Sequence, residues 1–144
     1  MQKCAFRTLY EKYQDEGSPY LEPLAKVEAR ICRPNGIYYR IWWDGQAAGA
    51  VYLSFRGPER FRLGPLFVIP ELQNNGIAQA AIQALEAFHG AGIWELDTLL
   101  QEPGNCHLYE KMGYTRVGTQ TVVNDRLTLI GYQKIVKSER KEEI

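Results

Sequence analysis

"FVIPELQNNGIAQAAIQALEAFHG", Phe67 to Gly90, changes character twice: an apolar run ends at Pro70, a polar loop with one glycine follows, and an alanine-rich pattern begins behind it. In that pattern Ile77, Ala81, Ala84, Leu85 and Phe88 recur at three and four residues, the spacing of one helix face, and Gly90 supplies a stop. The stretch predicts a strand, a loop and then a helix over Gly76 to Phe88. Such a helix is a crossover, so the strand before it and the strand after it form a parallel pair.

The junction between strand and helix is also a place for an anion. A helix start presents free backbone N–H groups and the positive end of the helix dipole at one point. Gly76 has no Cβ to keep a ligand away, and Asn74 is one of the few residue types that tolerate positive φ. The loop lacks both the G-K-[ST] of nucleoside triphosphatases and the G-x-G-x-x-G of dinucleotide sites.

Upstream of it, "CAFRTLYEKY" places Phe6, Leu9, Tyr10 and Tyr13 on one helical face. "SPYLEPLAKVEARI" predicts a second helix, begun either by Ser18 as N-cap with Pro19 at the first position, or later at Pro23. "IYYRIWWDGQAAGAVYLSF" is a hairpin around Asp44-Gly45, a dipeptide suited to a type I′ turn. "RGPE", Arg56 to Glu59, turns the chain into a third strand, "RFRLGPLFVI", whose Gly64-Pro65 predicts a bulge. Downstream come the strand "IWELDTLL", a short helix "NCHLYEKM" closed by Gly113, and the strands "YTRVG" and "RLTLIGYQKIV"; "KSERKEEI", 137–144, is expected to be a solvated tail. This order predicts an α+β or mixed α/β domain, 1–144, built on one mostly antiparallel sheet with one parallel pair.

Composition excludes several classes. The chain has 144 residues, 45% hydrophobic, and its seventeen basic and seventeen acidic residues cancel, so no global field draws it to nucleic acid or an anionic membrane. Cys4, Cys32 and Cys106 are an odd set without a C-x-x-C pair, which argues against a disulfide framework and a zinc site, and no metal is expected. No apolar run approaches the ~20 residues of a membrane span. The expected location is the cytoplasm.

Two segments carry a resemblance. "LFVIPELQNNGIA", Leu66 to Ala78, resembles the signature of the GNAT superfamily of N-acetyltransferases: an apolar strand, V-x-P-E, then Gln or Arg followed by x-x-G-x-[GA]. "NCHLYEKMGY" resembles that family's second signature, an Asn followed by L-Y-E-K-x-G-[FY]. The two lie in the family's order, about thirty residues apart, and the likeness extends from Tyr38 to Tyr132. The family's opening strand, which precedes its first two helices, has no counterpart in the sequence.

The resemblance implies the chemistry. Acetyl-coenzyme A would bind with its pyrophosphate at Gln73, Asn74, Asn75, Gly76, Ile77 and Ala78, and the backbone of Leu66, Phe67 and Val68 would pair with its pantetheine arm. Asn105, which the sequence alone reads as a helix N-cap, would touch that arm, and Lys111 would reach the 3′-phosphate. Tyr109 would protonate the departing sulfur, because a phenol with a reference pKa near ~10 is protonated at neutral pH. The general base stays open among Glu95, Asp97, Glu102, His107 and a water chain, since Gly64-Pro65 occupy the strand positions where the family often places a carboxylate. Trp42, Trp43, Tyr38 and Tyr39 read as sheet aromatics, and His89 as a helix-end residue suited to the dipole. The acceptor would be an amine on a small molecule or a peptide, attacked in a ternary complex, with a homodimer left open. The alternative is a binding module of the same fold that senses acetyl-coenzyme A or coenzyme A without chemistry.

Overall fold

Asp44 and Gly45, at φ 51° and 79°, make the two-residue turn of the expected hairpin between β1 (Gly36–Trp43) and β2 (Gln46–Gly57). Glu59, at φ 54°, turns the chain again into β3 (Arg60–Val68), antiparallel to β2. The computed structural model, which describes residues 2–14 and 19–137, continues with α3 (Ile77–His89), β4 (Gly92–Leu99), α4 (Pro103–Lys111), β5 (Thr115–Asn124) and β6 (Leu127–Val136). The six strands form one sheet in the order β1-β2-β3-β4-β6-β5. Every neighbouring pair is antiparallel except β3 and β4. The mixed α/β class and the crossover at α3 therefore stand as expected.

Ahead of the sheet lie α1 (Gln2–Tyr13), a 3-10 turn (Pro19–Leu21) and α2 (Leu24–Ile31). Of the two starts considered for the second helix, the later holds: Pro23 is the N-cap, and Pro cannot donate the N–H that a helix interior needs. Ser18 and the tail 138–144 lie outside the described residues. No strand precedes α1 among the described residues.

Side chains of a strand alternate between faces, and the two faces of this sheet are covered differently. Val51 and Leu53 of β2, Phe61 and Leu63 of β3, and Trp94 and Leu96 of β4 pack with Ile77, Ile82 and Leu85 of α3 and Cys106 and Met112 of α4. Leu53, Ile82 and Trp94 are wholly excluded from solvent, and burial of this kind contributes ~1.5–3 kcal/mol per large side chain. On the other face Tyr52 lies under the guanidinium of Arg30 from α2, and Phe67 meets Phe6 of α1 edge to face. Arg30 is itself buried and bonded to Glu22, so a charge pair rather than an apolar stripe helps dock this helix.

One expectation about α3 is overturned. Phe88 is 78% exposed and Ala84 is exposed, while Ile82 and Glu86 are buried. The buried stripe follows the i+4 rows from Ile77 and Ile82 to Leu85 and Glu86, away from Phe88. Glu86 belongs inside because Tyr114 donates to its Oε2 and Lys134 to its Oε1, each at 2.8 Å. No helix among the described residues is long and apolar enough to cross a membrane.

Candidate active site

The parallel pair opens like a wedge. β3 and β4 are in register only from Arg60–Ile93 to Arg62–Glu95, after which they part. The break coincides with the expected bulge: Gly64 sits at φ 141°, the Gly64–Pro65 peptide is cis, and the β2 register shifts between Val51–Leu66 and Leu53–Leu63. From Leu63 onward β3 keeps β2 as its partner, through Ala50–Phe67 and Gly49–Val68, and presents its other edge to no strand.

That wedge leads into a cavity of about 220 Å³. Its walls come from Leu63 to Leu66 of β3, Leu96 to Leu99 of β4, Asn105 and Tyr109 of α4, Leu127 and Leu129 of β6, and Phe6, Leu9 and Tyr13 of α1. Three residues assigned from the sequence thus meet here: Leu66, Asn105 and Tyr109. Phe67 and Val68 are buried on opposite sides of the strand, and neither lines this cavity.

The Gln73-to-Gly76 loop stands at the far end of β3 with the backbone the sequence suggested. Asn74 has φ 66° and Gly76, at the N-cap of α3, has φ 73°. A Cβ built on Gly76 meets nothing within 4 Å, so the space in front of it is free and the glycine answers to its left-handed φ. No side chain caps α3, which leaves the first-turn N–H groups of Ile77, Ala78 and Gln79 pointing out of the helix. The side chains of Gln73 and Asn75 turn inward instead: Gln73 Nε2 donates to Val68 O at 3.0 Å, and Asn75 Nδ2 to Leu72 O at 3.0 Å. Ile77 is buried in the core and Ala78 packs beside it. The loop is therefore a main-chain cradle braced by its own amides, a shape and polarity suited to a pyrophosphate.

Asn105 is not the cap of α4. The helix starts two residues earlier, with Glu102 at the N-cap position and Pro103 at the first turn, where its missing N–H costs nothing. This puts Asn105 inside the first turn and on the cavity wall. One turn later comes Tyr109, whose ring packs between those of Tyr114 and Tyr132. Its hydroxyl makes no hydrogen bond with any described residue, and burial pushes the phenol up to about 12. The hydroxyl is therefore neutral at physiological pH, on a residue that lines the cavity. Lys111 and His107 are exposed on the same helix, away from the cavity lining.

The carboxylates weighed as bases are all engaged. Glu95 is bonded to Arg60 and Asp97 to Arg62, each at 2.6 Å, across β3 and β4. Glu102 takes bonds from Lys12 and from the Tyr13 hydroxyl, each at 2.9 Å. Of these carboxylates Asp97 alone lines the cavity. The sequence reading assigned no individual residue of α1 to the site; Phe6, Leu9 and Tyr13 were legible as an apolar face, but nothing local says that the face looks onto a wedge. His89 has its Nε2 2.7 Å from the Tyr39 hydroxyl, and burial lowers its pKa, which opposes the charge that the helix dipole favours. Among the described residues no three His, Cys, Asp or Glu side chains converge as a metal site.

A sheet opened at one parallel pair, with a braced helix start at its mouth, is the architecture of an acetyl-carrier-binding fold. The chain belongs to the acetyltransferase (GNAT) family, whose model matches residues 4–114. Its fold is similar to that of the ribosomal-protein-S18-alanine N-acetyltransferase from Escherichia coli, with TM-score 0.68 and 15% identity over 96% of this chain and 92% of the other. An aminoglycoside 6'-N-acetyltransferase complexed with coenzyme A gives TM-score 0.68 and 18% identity over 97% and 91%. A GNAT family acetyltransferase from Elizabethkingia anophelis with acetyl-CoA bound gives TM-score 0.62 and 14% identity over 79% and 84%. Curated proteins give no match to this chain in sequence.

Proposed function

We propose that the protein transfers the acetyl group of acetyl-coenzyme A to the nitrogen of an amine, by direct attack with both substrates bound. The observation that carries this reading is the Tyr109 hydroxyl, neutral and without a hydrogen bond to any described residue, on the wall of a cavity that the β3/β4 wedge opens. The cradle from Asn74 to Ala78 would hold the pyrophosphate, and the free edge of β3 at Leu66 to Val68 would hold the pantetheine arm as an added strand, with Asn105 beside it. Membership of the family and the coenzyme-bound relatives support the same cofactor.

The roles follow from the chemistry. Main-chain N–H groups at the wedge would steady the negative charge that grows on the thioester oxygen as nitrogen bonds to the acyl carbon. Tyr109 would give its proton to sulfur as the carbon–sulfur bond breaks, and would recover one from solvent. The amine must lose a proton, and with Glu95, Asp97 and Glu102 each tied to a cation we assign that step to water reaching the cavity. Proximity supplies much of the remaining rate. Unpaired Cys32 and Cys106 suit the reducing cytosol as the site of action.

The test is acetyl-coenzyme A with an amine panel, scored by released thiol. Thiol release that depends on the amine and on Tyr109 supports the reading. Tight coenzyme binding with no transfer to any amine would refute it in favour of a sensor.

A further inference from the structure

We propose that the acceptor is a small monoamine whose nitrogen is carried on an apolar aryl or branched-alkyl body; this rests on the acetyl-transfer reading above. Size is the first ground. The cavity of about 220 Å³ falls below the roughly 300–1,000 Å³ that houses drug-sized ligands, and part of it must take the acetyl group and the end of the pantetheine arm beside Leu66 and Asn105.

The second ground is what lines it. Facing the wedge, α1 contributes Phe6 and Leu9 and β6 contributes Leu127 and Leu129, so the space beyond the reacting carbon is walled by hydrocarbon. The third is charge. An acceptor with several ammonium groups needs several free carboxylates, because a charge buried without a partner is costly. Asp97 borders the cavity but is bonded to Arg62 at 2.6 Å, and Glu102, behind Tyr13, is bonded to Lys12 at 2.9 Å. Each negative charge near the site is already matched by a cation of the protein. A single amine that becomes neutral before it reacts, on an apolar body, meets no such shortfall.

An acceptor panel decides the matter. 2-Phenylethylamine and isoamylamine are compared with putrescine, spermidine, kanamycin and a short alanine-initiated peptide. Each is measured twice: by thiol release with acetyl-coenzyme A, and by calorimetric binding to protein loaded with coenzyme A, where no reaction can follow. The expected result is about tenfold or more in both kcat/KM and affinity for the two apolar monoamines, the scale on which apolar pockets discriminate. Leu9→Glu, at a half-buried position on the α1 wall, should lower kcat/KM for 2-phenylethylamine about tenfold and raise it for putrescine. A preference for any polycation or for the peptide overturns the substrate class and leaves acetyl transfer standing. An unchanged preference in folded Leu9→Glu protein overturns the placement of the acceptor body. Apolar amines that bind well but release no thiol overturn acetyl transfer itself, and the proposal with it.

Discussion

Replacing Tyr109 by Phe removes one oxygen and leaves the ring between Tyr114 and Tyr132. Because that hydroxyl bonds to no described residue, its loss breaks no internal hydrogen bond, and folding stability should change by less than ~1 kcal/mol, equivalent to a few degrees in Tm. Loss of a general acid is worth ~10²-fold or more, so kcat should fall by at least that factor while the KM for acetyl-coenzyme A barely moves, since the proton is needed only as charge develops on sulfur. Burial also fixes the pH profile. An ordinary phenol would lose its proton near ~10, but Tyr109 is pushed up to about 12, so the wild type should show no decline in kcat from this group between pH 8 and about 10.5. Steady-state kinetics at saturating amine across that range, with melting curves for both proteins, is the assay. Equal kcat values would make Tyr109 a packing residue. A collapse in Tm would show that its hydroxyl is structural.

Acetyl-coenzyme A at about a hundredfold excess over Kd should stabilise the wild type by ~2.7 kcal/mol, about 5–10 °C in Tm, and Gly76→Asp should abolish the shift by facing a carboxylate to phosphate; a retained shift would move the pyrophosphate elsewhere. Gly76→Ala separates strain from charge: its Cβ meets nothing, so it should cost only the ~1–2 kcal/mol of a left-handed residue and keep the shift. Glu95→Gln, Asp97→Asn and Glu102→Gln should each lower kcat less than about a hundredfold, and a larger loss at unchanged coenzyme affinity would identify the base. Folded Tyr109 and Tyr132 both titrate near about 12, above the unfolded value of ~10; burial raises both, and the hydrogen bond to Glu110 adds to it at Tyr132. Their contribution to stability is complete below pH ~10 and is lost as pH rises through 12, so urea midpoints should fall between pH 9.5 and 11.5, and flat midpoints would refute the buried placement of these phenols.

What the sequence disclosed was local, and what it withheld was not. Asp44-Gly45 specifies its turn because few other dipeptides tolerate two left-handed residues, and Asn74 with Gly76 marks the cradle for the same steric reason. Gly64-Pro65 announces the bulge because Pro cannot donate to a ladder. Which residues of α1 form the wall was hidden, since the contact of Tyr13 with Glu102 spans 89 positions and an apolar helix face reads the same whether it covers a core or a cavity. Phe88 misled for a related reason: a period of three and a period of four both fit Ala81 to Phe88, and only the partners of Glu86 on β6 and near α4 decide which row turns inward.

The bulge that opens the wedge also shapes its chemistry. Gly64 and Pro65 line the cavity at positions of β3, and neither carries a group that can accept a proton. The acids nearest to it lie on β4 and at the α4 cap, already bonded to Arg62 and Lys12. On the leaving-group side the balance is reversed: Tyr109 is held neutral far beyond physiological pH, with its hydroxyl bonded to no described residue. Under the proposed acetyl transfer, such a site would protonate sulfur rather than deprotonate nitrogen. Such an enzyme depends on amines that arrive neutral, and its kcat/KM should rise with pH along the titration of the amine itself. An acceptor with a lower pKa should shift that rise to lower pH by the same amount, whereas a rise fixed at one pH for every amine would mean that a protein base sets it.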